Sequence, residues 1–402
     1  MRLTVNFPRH QSDETTVILV RHAQSVSNLL ACYPGCCEQD ILTEKGRRSA
    51  YLTGLALKKF NINAIYTSPL KRTQQTAIEI LAALSTTGSD LPQMRQSKFL
   101  QGVDLRAWQG LSFQTVREQF PQDYHDWKQR PQEFQMEVPS QINSEETGNL
   151  AVCTRVKKSY FPVLDLYKQA EQFWQEILPR HRGATILVVG QSSTNRALIS
   201  TALGLEQHLF HSLQQSNCGV SILKFPHISR SSAKLESFNI TEHLNEKLPV
   251  FEEEEQGLRL LFVASSNIYH QQIQQISQQL KDVPIDFCLT QVINHSQVIS
   301  EEILRYHPNI MQFQVFNDLL QVWQEKIQDR HQIALASKSD QKIRTGLVIV
   351  DELMIKSFLS KVINLSSNQL QNWQLYPEAI HAIYYPLEHP AIVQTVNYHV
   401  HL

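Results

Sequence analysis

Arg21 and His22 stand directly behind the apolar run 17–20 in TTVILVRHAQSVSN (15–28). Both side chains are costly to bury without partners, so a strand ending on the pair points to an anion at its carboxyl end. Arg72, in TSPLKRTQQTA, follows a second apolar run and opens a helix-period stretch. There its side chain and the helix N-terminus can face an anion together. Gln191 follows a third run, 186–189. Guanidinium forks match phosphate oxygens, and a neutral imidazole nitrogen can attack phosphorus. Arg21, His22, Arg72 and Gln191 around one crevice therefore predict a phosphoryl site.

Such a site needs strands whose carboxyl ends meet. Short β-branched runs at 17–20, 186–189, 258–263 and 347–350 alternate with helix-period stretches. That pattern predicts an α/β fold, a mostly parallel sheet flanked by helices, with the ligand crevice at the strand ends. Laid on itself, the chain repeats: 16–25 falls on 259–268, 61–81 on 284–304, and 185–205 on 345–365, in collinear order. This predicts a duplication with a shortened second copy, because 85–180 has little counterpart. The expected domains are 1–240, bearing the phosphate pocket, and 257–402, joined by a linker at 241–256 that ends in the acidic run FEEEEQG. Leu164, Tyr167, Ala170, Phe173, Trp174 and Ile177 predict a core-packing helix, and Ile273, Ile276 and Leu280 give the Gln-rich stretch QQIQQISQQL an apolar face.

A formal charge of -1, from 37 Lys+Arg against 38 Asp+Glu, leaves no global field for nucleic acid or an anionic membrane. The six cysteines form no CxxC pair and read as reduced thiols, so a cytoplasmic protein is expected. No apolar stretch suits export or membrane spanning. No Gly-rich nucleotide loop, HExxH or carboxylate cluster is present, so neither metal nor cofactor is expected.

Four ordered motifs carry a family resemblance. LVRHAQSVSN resembles the RHGxTxxN signature of the histidine phosphatase superfamily, the phosphoglycerate mutase-like group, with Ala23 in place of the usual glycine. DILTEKGRRSA is similar to its LTxxGxxQA segment, AIYTSPLKRTQQTA to SxLxRAxxTA, and LQGVDLRAWQG to LxExxxGxWEG. The tandem arrangement is similar to cyanobacterial and chloroplast two-domain members of the 2-carboxyarabinitol-1-phosphatase-like type. The resemblance covers residues 15–225 directly. It implies a metal-independent phosphatase in which His22 forms a phosphohistidine while Arg21, Asn28 and Arg72 hold the phosphate.

Two of the family's residues are missing. Its second histidine falls on Gln191, which can still donate to a phosphate oxygen, and its acidic proton donor falls on Gly102. Losing an oxyanion donor typically costs about 3–4 kcal/mol, and losing a general acid about 10²- to 10⁴-fold in rate. Binding should therefore outlast turnover. Asp104, two positions on, shares a face with Gly102 if the segment is extended and is the candidate replacement acid. In the second copy Arg21 falls on Ala264, His22 on Ser265, Arg72 on His295 and Gln191 on Asp351, which leaves that copy catalytically empty. It is expected to serve stability, to cover the first crevice, or to dock a protein partner.

Three readings stay open. The chain is a pseudophosphatase that binds a phosphorylated small molecule with absent or strongly reduced turnover; or an active phosphomonoesterase using His22 and Asp104; or a scaffold.

Overall fold

The structure is a computed structural model that describes residues 14–34, 39–87, 91–138, 158–226, 233–251, 256–292, 296–315, 343–387 and 390–398. His295, the acidic stretch 252–255, and Cys36, Cys37 and Cys153 lie outside these residues.

The apolar run at 17–20 becomes a strand buried on both faces, and its alternation sorts the helices. The first strands are β1 (Thr15–Arg21), β2 (Ile62–Thr67), β3 (Gln93–Gln96), β4 (Met136–Val138), β5 (Lys158–Tyr160), β6 (Thr185–Gly190), β7 (Val220–Phe225) and β8 (Lys234–Ile240). There follow β9 (Gly257–Ala264), β10 (Phe287–Gln291), β11 (Met311–Val315), β12 (Ile343–Val350), β13 (Ile380–Pro386) and β14 (Ile392–Tyr398). On one face of β1, Val17 and Leu19 join a core with the helices Pro162–Arg180 and Ser192–Leu203. On the other, Ile18 and Val20 pack with Leu57 and with Ala77, Ile80 and Leu84 of the helix Lys71–Leu84. Period two with both faces covered is why the run carries no polar alternation.

Twelve strands make one sheet in the order β3-β2-β6-β1-β7-β8-β14-β13-β9-β12-β10-β11, with β4 and β5 forming a separate ribbon. The four strands β3, β2, β6 and β1 are parallel, as are β9, β12, β10 and β11. Between these blocks β7, β8, β14 and β13 run antiparallel. Each half thus uses one strand order. Registers match too: Val17 opposes Ile186 and Leu223, while Leu260 opposes Gly346 and Ile383.

The core-packing helix forms as expected, with Tyr167, Ala170, Phe173, Trp174 and Ile177 buried; Val163 and Leu166 are also buried, and Leu164 is only half-buried. The Gln-rich stretch is the helix His270–Leu280, burying Ile273, Ile276 and Leu280. No helix among the described residues is long and apolar enough to cross a membrane.

The seam between the halves is made of paired bonds. Phe238 of β8 opposes Val396 of β14. The Asn239 side-chain amide donates to the Gln394 carbonyl at 2.9 Å, and that of Asn397 donates to the Glu236 carbonyl at 2.7 Å. Asn239 Oδ1 accepts from the Ser216 amide at 2.8 Å, and Asn397 Oδ1 from the Tyr376 amide at 3.0 Å. Both asparagines are buried at positive φ, +53° and +59°, a region that Asn tolerates better than other non-glycine residues. Such reciprocity is the pattern of an isologous contact.

Replacing Asn239 removes a donor and an acceptor from a buried backbone. Each orphaned group costs about 1–3 kcal/mol, so Asn239→Ala is expected to lower unfolding free energy by roughly 2–4 kcal/mol in urea titrations. Asn239→Gly should lose less, because the positive φ is then unstrained.

Candidate active site

His22 sits where β1 leaves the sheet. Its backbone N–H extends the parallel ladder, donating to the Gly190 carbonyl of β6 at 2.9 Å. The chain runs from β1 to β2 across the place later filled by β6, and β7 lies on the other side of β1. The crevice at β1 and β6 is therefore a topological switch point, where open α/β sheets place ligands. Ala23, standing for the expected glycine, is buried and is absent from the positive-φ residues. Its N–H donates to Thr76 Oγ1 at 3.0 Å.

Five of the six residues singled out from the sequence line one cavity of about 220 Å³: Arg21, His22, Asn28, Arg72 and Gln191. His22 is 3% exposed and Arg72 1%. Lys128 and Arg196 add two more cationic side chains to the lining, and no carboxylate among the described residues lines it. The N-terminal serines Ser192 and Ser193 of the helix Ser192–Leu203 also border it, so the positive end of that helix dipole faces the same space.

A backbone carbonyl fixes the imidazole's tautomer. His22 Nδ1 lies 2.8 Å from the Ala23 carbonyl oxygen. A carbonyl can only accept, so Nδ1 carries the proton and Nε2 keeps its lone pair. Burial, then the neighbouring Arg72 and Arg21 guanidinium groups, hold the His22 pKa well below its ordinary value, against a small opposing contribution from the Ala23 carbonyl.

The partners are fixed by short loops. Arg21 Nη1 donates to the Gln215 carbonyl at 2.6 Å. Asn28 Oδ1 accepts from the Ser25 amide at 3.2 Å and from Asn217 Nδ2 at 3.2 Å, which leaves Nδ2 as its donor toward the cavity. Asn217 Nδ2 also donates to the His22 carbonyl at 2.8 Å. Gln191 Nε2 donates to Ser68 Oγ at 2.8 Å, and its Oε1 accepts from Thr194 Oγ1 at 2.7 Å. One amide hydrogen of Gln191 remains for a ligand.

Asp104 is placed elsewhere, which corrects the expectation of a replacement acid. Its carboxylate clasps Arg106, accepting from Nε at 3.0 Å and from Nη2, and also accepts from the Arg106 backbone amide at 3.2 Å. It is absent from the cavity lining. Residues 101–105 belong to no strand, and a 3-10 turn follows at once at Arg106–Trp108, where Arg106 holds the carboxylate. Gly102 does line the cavity. A Cβ there would lie 3.5 Å from Gln191 Cδ and 3.6 Å from Ser193 Oγ, ordinary contact distances. The positions of the two missing family residues therefore face each other, with room for a side chain.

Several site residues carried no sequence signal. Asp40 is buried, accepts from the Ser27 amide at 3.0 Å, and forms an ion pair with Arg72 at 3.5 Å. It opens the DILTEKG segment, yet nothing there marked it as the arginine's partner. Gln215 is 4% exposed, lines the cavity, and its Nε2 has no hydrogen-bond partner among the described residues. A buried orphan donor costs about 1–3 kcal/mol unless a ligand or water meets it. Val250, Phe251, Pro390 and Ile392 complete the wall from the other half and the junction.

In the second half the equivalent places among the described residues hold no such chemistry. Ala264 ends β9, followed by buried Ser265, and Asp351 caps its own helix by accepting from the Met354 amide at 2.8 Å.

Comparison with known proteins agrees with this architecture. The model of the histidine phosphatase superfamily (branch 1) matches residues 17–240. A probable 2-carboxy-D-arabinitol-1-phosphatase of Arabidopsis thaliana is 34% identical over 214 residues, 53% of this chain and 39% of that protein. Phosphoserine phosphatase 1 of Hydrogenobacter thermophilus is 28% identical over 230 residues, 57% of this chain and 94% of that protein. A solved phosphoserine phosphatase of Entamoeba histolytica superposes with a TM-score of 0.44 at 22% identity, covering 57% of this chain and 99% of that one. The matched region spans 39% and 37% of the lengths of the Arabidopsis protein and of a 2-carboxy-D-arabinitol-1-phosphatase from Triticum aestivum.

The His22 environment has a pH signature. Its folded pKa is depressed, so its contribution to stability is complete above the unfolded value of about 6.5 and is lost as pH falls below it. Between pH 6.5 and 5.5 wild type should lose about 1 kcal/mol more than His22→Gln in urea titrations. Nitrogen-15 NMR at pH 6 should show His22 neutral and protonated at Nδ1.

Proposed function

The chain belongs to the histidine phosphatase superfamily, branch 1, and from that premise we propose that it binds a phosphorylated small molecule in the β1/β6 crevice with absent or strongly reduced phosphomonoesterase turnover. One observation carries the reading: buried Arg21, His22 and Arg72 line one cavity that no carboxylate among the described residues lines, whereas Gly102 and Gln191, also in the lining, stand where the family resemblance puts the acid and second histidine.

A phosphate dianion entering the cavity meets two guanidinium groups, the Asn28 and Gln191 amides and the orphan Gln215 donor. Charge-assisted hydrogen bonds of this kind contribute about 1.5–3 kcal/mol each. His22 Nε2 can attack phosphorus in line, forming an N–P bond as the P–O bond to the alcohol breaks. The departing alkoxide then needs a proton. Asp104 is held by Arg106 outside the cavity, and Gly102 has none to give. Gln191 stabilises a developing oxyanion with one neutral N–H instead of a charged imidazolium. Ground-state binding is thus favoured over the chemical step.

Residues 257–402 are read as a shortened second copy that has no phosphate site, joined through 241–256 to the pocket-bearing residues 1–240. The common strand order, matching registers and paired seam bonds support this division. The activities named for the plant and bacterial relatives suggest phosphorylated metabolites as ligands.

The test measures phosphate release and thermal shift together over a panel of phosphorylated metabolites. Expected are shifts with little or no release. Arg72→Gln should weaken inorganic phosphate binding by about ten- to a hundredfold. The double substitution Gly102→Glu with Gln191→His should raise hydrolysis by at least about 10²-fold. Fast release by wild type, unimproved by the double substitution and abolished by His22→Ala, would instead establish an active enzyme; no shift with any phosphorylated compound would remove the pocket.

A further inference from the structure

We infer that the junction and the second half form the specificity wall of the first half's pocket, seating an apolar body on the phosphorylated ligand through Val250, Phe251, Pro390 and Ile392. This deepens the phosphate-binding reading and rests on it. The cavity lining combines two kinds of surface. One is the polar set around Arg21, His22 and Arg72, and the other is the apolar set Val250, Phe251, Pro390 and Ile392, at least 178 positions further along the sequence.

That wall is anchored from both sides. Gln214 Nε2, from the first half, donates to the Val250 carbonyl at 3.0 Å, and Gln394 Nε2, from β14, donates to the Pro249 carbonyl at 2.7 Å. The Phe251 ring lies 4.2 Å from the Tyr384 ring of β13, with the Arg259 guanidinium 6.0 Å from its centroid. Gln214 also donates its backbone N–H to the Val393 carbonyl at 3.0 Å, which fixes the start of β14 beside the cavity. Yet Val250 is left 59% exposed on this held backbone. Apolar side chains presented rigidly at the rim of an anion pocket gain free energy only if a ligand's apolar surface covers them. Trp127 and Phe210 line the same cavity from the first half. At about 220 Å³, below the roughly 300–1,000 Å³ of drug-sized sites, the cavity suits a small ligand: one phosphate and one compact apolar or aromatic group, not a polyhydroxylated chain.

The experiment is calorimetric titration of the full chain with inorganic phosphate, benzylphosphonate and 2,3-dihydroxypropylphosphonate, the last two being resistant to hydrolysis. Wild type should bind benzylphosphonate about tenfold tighter than the dihydroxypropyl compound. Phe251→Ala should close most of that gap while leaving the affinity for inorganic phosphate unchanged. Val250→Ser, at a largely exposed side chain, should narrow it without any risk to folding. Equal affinities in wild type, or a gap that survives both substitutions, overturn the wall and leave the phosphate pocket standing. Failure of wild type to bind inorganic phosphate overturns the pocket, and the wall with it.

Discussion

Everything in the amino-terminal half is arranged around positive charge held away from water. Arg21 and Arg72 are buried beside a neutral imidazole, and among the described residues Asp40 is the carboxylate that meets Arg72, at the long distance of 3.5 Å. Burying guanidinium groups is unfavourable unless hydrogen bonds and counter-charge offset the lost hydration. The backbone supplies part of the offset, as in the bond from Arg21 to the Gln215 carbonyl. Burial first, and then the same two guanidinium groups, hold the His22 pKa well below its ordinary value, so on the proposed reading the charge that would attract a phosphate also leaves it a lone pair to meet.

Much of this was legible in the sequence, because strand ends are local features. The run 17–20 followed by Arg21 and His22, the helix opening at Arg72 and the strand ending before Gln191 each needed only a few residues, and those side chains do converge. The common strand order of the two halves was legible for a related reason: strands buried on both faces preserve apolar spacing even where identities are few. What escaped is nonlocal. Asp40 finds Arg72 across 32 positions, Gln215 turns inward from a loop, and Ile392 reaches the cavity only because β14 pairs with β8. The antiparallel strands at the seam, KLESFNI and IVQTVNY, bury polar residues such as Ser237, Asn239, Gln394, Thr395 and Asn397, which breaks the apolar pattern that marks a core strand. Asp104 failed for a local reason, since a neighbouring Arg106, opening a tight turn, holds its carboxylate.

The positions that differ from the family pattern are themselves instructive. Gly102 and Gln191 are in contact range of each other; on the proposed reading, the absence there of the family's acid and second histidine removes proton donation and one charged contact while the arginines stay. Binding and chemistry draw on separable groups in this fold. Retention of the cradle alongside loss of the acid is what a binding protein built on a catalytic scaffold requires.

The seam described above is self-complementary: Phe238 and Val396, partners across it, hold corresponding places in their halves. Severed at the junction, each piece would expose a raw edge whose best match is a copy of itself, an invitation to dimers or runaway strand addition. A covalent tether turns that concentration-dependent encounter into an intramolecular one, at an effective molarity in the millimolar range for short flexible linkers. One polypeptide thereby satisfies both edges at any dilution, and assembly no longer depends on how much of the protein is present.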